Sequence, residues 1–152
     1  MEWIAIGWSG FVATMLQLAF FSIVRSLRLS LFSPTVQVGC IFLRHPRNPA
    51  TDVLGYVVLV LLGSSVVPLA YGLALEALGA PSWRAGAVLG ALHGLAAAAA
   101  LPGLGMISAC IRSGAFPPPG MLGIGWGRFT PLGLVLGHVL YGGVVGAILA
   151  SF

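Results

Sequence analysis

The chain alternates between long apolar stretches and short loops that hold nearly all of its charge. Four stretches carry no charged side chain: Trp3 to Val24, Val53 to Leu75, Ala85 to Ile111 and Phe129 to Phe152. About 20 helical residues at 1.5 Å each cross the roughly 30 Å hydrocarbon core of a bilayer, where a helix satisfies its own backbone groups. The pattern predicts an all-α membrane protein, a single domain over residues 1–152 in which four transmembrane helices form a bundle. The spans are expected at about 3–24, 53–75, 85–111 and 131–151. Asn48-Pro49 and Thr130-Pro131 each set a capping side chain before a proline suited to the first turn, and Gly79 suits a helix stop.

Composition narrows the class. Of 152 residues, 59% are hydrophobic and 7% charged, against roughly 25% charged in soluble domains. Ten charged side chains cannot solvate a globule of this size, which excludes a soluble enzyme. All seven basic residues are arginine, as in a GC-rich coding sequence, and they form no run that would serve a nucleic acid. Arg25, Arg28, Arg44 and Arg47 follow the first span and Arg112 and Arg128 the third, whereas Arg84 alone follows the second. Because arginine is retained on the cytoplasmic side, the count places both termini on the outer side of a cell (inner) membrane. Trp3, Trp8, Tyr71 and Trp83 are then expected at the outer interface, and Tyr56 and Trp126 at the inner one. The first span has no basic flank and no cleavage site, so it is expected to be retained.

Each inner loop contains 15 uncharged residues between arginines, Leu29 to Leu43 and Ser113 to Gly127. Prolines interrupt both, and neither is long enough to cross. These apolar inner loops are expected to cover the protein's own inner end or to meet a partner. Ser33 to Leu43 could form a short interfacial helix with Pro34 at its first position. Cys40 and Cys110 have no metal-ligand spacing and read as small buried apolar residues. An offset of 78 residues aligns Leu54, Gly55, Val57, Leu62, Val66 and Val67 with identical residues in the fourth span, a weak sign of a duplicated hairpin.

Gly86, Gly90 and Gly94, and likewise Gly142, Gly146 and Ala150, recur every four residues. Small residues so spaced let a neighbouring helix backbone approach closely. His93 and His138 are the ionisable side chains well inside the spans, where such residues default to function. Counting along the helices places them about 12 Å and about 20 Å below the outer surface, an offset of roughly 8 Å that speaks against a shared haem iron. The same count suggests two buried polar clips, Gln17 with His138 and Ser64 or Ser65 with His93, with Pro68 freeing the Ser64 carbonyl. Haem b or quinone at His93 and His138 is the alternative. Asp52 and Glu76 sit at span ends as solvated or arginine-paired carboxylates. Arg28, Arg44, Arg112 and Arg128 are candidates for contact with lipid phosphates or a partner. The glycines from Gly120 to Gly127 lack the Lys-Ser/Thr pair of a phosphate loop. With neither a catalytic constellation nor metal spacing, the chain does not read as an enzyme.

The segment from His138 through Tyr141-Gly142 to Gly146, together with Gly10-Phe11-Val12-Ala13-Thr14, resembles small prokaryotic four-helix membrane proteins of uncharacterised activity that share a His-x-x-Tyr-Gly-x-x-x-Gly element. The resemblance implies the fold and assigns no catalytic role to His138 or Tyr141. The leading expectation is an accessory or structural subunit that packs against a larger membrane protein complex through glycine faces and apolar inner loops. A small transporter or channel is disfavoured by the lack of charge at mid-depth.

Overall fold

A computed structural model describes residues 3–79 and 81–152. The described residues contain helices, turns and loops but no strand. Four helical stretches are long and apolar enough to cross a membrane: Trp3–Ser26, Pro49–Ala77, Trp83–Ile107 and Thr130–Leu149. In chain order the helices are α1 (Trp3–Ser26), α2 (Pro34–Phe42), α3 (Pro49–Ser64), α4 (Val66–Ala77), α5 (Trp83–Ala100), α6 (Leu104–Ile107), α7 (Ala109–Arg112) and α8 (Thr130–Leu149).

The second span is longer than expected because it starts at Pro49, where the Asn48 side-chain oxygen accepts from the Ala50 amide at 3.0 Å. It breaks between α3 and α4 at Ser65, three residues before a proline that cannot donate to the helical ladder. Gly79, with a φ of 66°, ends it by turning the chain left-handed, and its amide bonds the Glu76 carbonyl at 2.9 Å. The third span is shorter than expected. Pro102 starts a tight turn over Leu101–Gly103, and Ser108 adopts an extended conformation that separates α6 from α7.

The chain packs as two compact units. The first comprises Met1–Phe20, Val60–Gly94 and Val135–Phe152, and the second Phe21–Leu59 and Leu95–Leu134. Neither unit is one hairpin of the duplication suggested by the 78-residue offset, since each draws on both halves of the chain.

In the first unit, backbones meet without intervening side chains. A Cβ on Gly86 would run into the Gly142 carbonyl, one on Gly90 into that of His138, and one on Gly146 into that of Ser82. These pairs keep one antiparallel register between α5 and α8. On the other side of the unit, Gly10 of α1 lies against the Gly63 carbonyl and the Pro68 ring. The spacing read as a packing signal is thus used within the chain.

The second unit is built from the two inner loops. Ser33 to Leu43 forms the expected short helix, α2, with Pro34 at its start. One face of α2 packs on the beginning of α3, where Gly39 abuts the Thr51 carbonyl and Gly55 the Thr35 carbonyl. The Thr35 hydroxyl donates to the Asp52 carboxylate, so that carboxylate, expected to be solvated or arginine-paired, is engaged by α2. Trp126, placed at the interface by its sequence context, is instead 1% exposed. It stacks on Phe32 at 5.8 Å, meets Phe116 edge-on at 5.7 Å and donates its indole N–H to the Pro117 carbonyl at 2.8 Å. Beneath it Ser30 and Thr130 share a hydrogen bond of 2.6 Å.

Cys40 and Cys110 are fully buried, as expected, but they are not free thiols: they form a disulfide with a Cα–Cα distance of 5.3 Å across 70 residues. The sequence suggested no pairing because their proximity depends on α2 folding back onto α7. Closing a loop of this length removes denatured-state freedom equivalent to about 4 kcal/mol. Replacing both cysteines by alanine is expected to lower the melting temperature in mild detergent. Reductant should lower the wild-type value in the same way and leave that of the variant unchanged.

Candidate functional site

The first unit gathers the interior polar side chains that could carry chemistry. α5 presents Gly86, Gly90 and His93 along one face at helical spacing, and α8 presents His138, Gly142 and Gly146. In the α5–α8 register His93 stands three residues from the level of His138, about 4 to 5 Å along the axis. The rings touch, with centroids 4.5 Å apart and planes at 61°. This corrects the expected separation in depth of roughly 8 Å, which came from counting inward from span ends. The glycine register, not the position of the ends, sets the relative height.

Tyr71 of α4 joins this pair, its hydroxyl lying 3.1 Å from His93 Nδ1. Tyr141 packs edge-on against Tyr71 at 5.4 Å and donates its own hydroxyl to the Gly63 carbonyl at 2.7 Å. The break at Ser65 exposes that carbonyl to an outside donor, one residue before the carbonyl expected from Pro68. Ala13, Tyr71, Tyr141 and Val145 form the buried apolar floor of the cluster. Tyr71 therefore lies inside the unit rather than at the expected outer interface.

The expected clip from Ser64 or Ser65 to His93 is not made. Ser65 turns its hydroxyl back to the Leu61 carbonyl at 2.5 Å, and the buried Ser64 hydroxyl has no partner. The place assigned to them beside His93 is taken by Tyr71. Gln17 is half-buried on α1. Tyrosines 71 and 141 were missed as site residues. The one available signal was the spacing of Tyr141 from His138, one turn apart on α8.

Haem fits this pair poorly. An iron between two imidazoles sits about 2 Å from each ligating nitrogen, and rings already in edge-to-face contact leave no such gap. Among the described residues no group of three or more His, Cys, Asp or Glu side chains could hold a metal ion.

The four arginines singled out for lipid or partner contact are all exposed in the second unit. Arg112 bonds the Met106 carbonyl at 2.8 Å, and Arg128 lies 4.7 Å over the Phe129 ring. Arg28 closes the turn after α1 with a φ of 57°. Gly94 is buried on α5 beyond the glycine contacts with α8.

No family model, curated protein or solved structure matches the chain.

The Tyr141→Phe variant tests the architecture of the cluster. Losing the bond to the Gly63 carbonyl is expected to cost about 1 kcal/mol, read as a lower unfolding midpoint in a denaturing-detergent titration. Leu62→Val, altered at an exposed position of α3, should leave the midpoint in place.

Proposed function

We propose that the protein is a non-enzymatic, multi-pass subunit of a larger membrane protein complex, docked through the exposed face of its second span. The observation that supports this reading is that this span packs least against the rest of the chain, which leaves its face open to a protein neighbour as well as to lipid. Pro49–Ala77 has the highest mean hydropathy of the four, 2.3, yet 11% of its most apolar window is buried, against 22% to 39% in the others. The glycine faces and inner loops first considered for docking are largely occupied by internal contacts, which shifts the proposed surface to α3 and α4. Leu61, Val66 and Leu73 on that span are 63%, 60% and 55% exposed.

A photo-crosslinking amino acid at Leu61, Val66 or Leu73 is expected to give one discrete protein adduct in native membranes. The same probe at Phe11 or Leu16 of α1 should give none. Adducts with lipid alone from all positions would overturn the docking reading.

The arginine count, six against one, favours the cytoplasmic face of a cell membrane for these loops and the outer side for both termini, whereas the Cys40–Cys110 bridge that joins the same loops is of a kind that persists in oxidising compartments and favours the reverse; the proposal keeps the orientation that the arginines give. Epitope tags on the two tails are expected to be reached by antibody on intact spheroplasts. Tags reached only after lysis would reverse the orientation.

A further inference from the structure

We propose that the lipid-facing side of the His93–His138 pair binds a hydrocarbon-soluble quinone, one carbonyl of which accepts a hydrogen bond from His93 Nε2. This site is independent of the proposed docking face on the second span.

The argument starts with Tyr71. Its hydroxyl lies 3.1 Å from His93 Nδ1. A phenol is a stronger acid than the N–H of a neutral imidazole, which favours Tyr71 as donor and Nδ1 as acceptor, and the proposal takes that tautomer. The ring proton then resides on Nε2. Nδ1 faces the buried Tyr71, and Nε2 therefore lies on the other edge of the ring. The bond to Tyr71 is the one hydrogen bond that His93 makes among the described residues, which leaves the Nε2 donor without a protein acceptor.

The surroundings define what can reach that donor. His93 is half-buried, and the outward side chains near it on α5 and α8 include Val88, Leu92 and Leu136, which are 62%, 59% and 46% exposed. Ten residues separate His93 from the start of α5, about 15 Å along the axis. With the first turn of α5, which carries Arg84, at the interface, His93 lies about 12 Å inside a roughly 30 Å hydrocarbon core. Phospholipid ester carbonyls stay near the interface and do not reach this depth. A donor in hydrocarbon needs an acceptor, and its occupant must travel through the lipid. A quinone meets both requirements, with a carbonyl oxygen for Nε2–H and a flat ring to lie against the imidazole of His138, which packs 4.5 Å from that of His93. The proposal concerns binding and involves no electron transfer.

The test uses the purified full chain in phosphatidylcholine nanodiscs with decylubiquinone labelled with carbon-13 at its carbonyls. Saturable binding beyond that of empty nanodiscs is expected, with a carbonyl infrared band shifted to lower frequency. His93→Leu should weaken binding at least tenfold and abolish the shift. His93→Gln keeps an N–H donor and should restore part of the shift, whereas Tyr71→Phe releases the tautomer and should weaken binding severalfold. No saturable binding, an unshifted band, or unchanged binding by His93→Leu overturns the proposal. Should His93→Leu fail to fold, a photoreactive azidoquinone on the unaltered protein decides. Label on the peptides holding His93 or His138 is expected, and label spread evenly over all four spans overturns it.

Discussion

Direct contact between helix backbones is the constraint from which the interior of the first unit follows. Lipid tails are as apolar as leucine, so helices in a bilayer gain little from hiding side chains and depend on close packing and polar contacts. Gly86 and Gly90 on α5 remove the side chains that would hold α8 away. Once those backbones touch, the register between the helices is fixed, and His138 stands level with Gly90, within one turn of His93. The two rings meet for that reason. The polar cluster is thus a product of the glycine contact.

The second unit solves a different problem. Its loops hold few charges and several prolines, so they cannot be left as ordinary solvated turns. They fold back instead and build a small core around Trp126, with α2 held on α3 by close glycine contacts and by the Thr35–Asp52 hydrogen bond. This core retains an internal cost. Gln37 is 3% exposed, and neither atom of its amide finds a partner, a type of burial that normally destabilises. Cross-linking α2 at Cys40, one turn away, keeps the helix in place despite it.

The number and apolar character of the four spans, the start of α2 at Pro34 and the stop at Gly79 were legible in the sequence, because each is set by residues close together in the chain. Glycine spacing also revealed a packing face correctly. What it could not give was the register between two such faces, and the depth assigned to the histidines failed on that point. Tyr71 and Trp126 were placed by the general preference of aromatic rings for interfaces, but tertiary contacts to His93 and Phe32 drew them inward. Cys40 and Cys110 depended on an inner loop doubling back over 70 residues, for which no local pattern exists. Ser64 and Ser65 were plausible partners by height alone. The helix break at that point turned Ser65 onto its own backbone.

The bridge between Cys40 and Cys110 also imposes a chronology. It closes a covalent ring around all of α3, α4 and α5, so it cannot exist until the ribosome has passed residue 110. The second and third apolar stretches must therefore take their places without its help. The bridge serves afterwards as a clasp, preserving an arrangement it had no part in choosing.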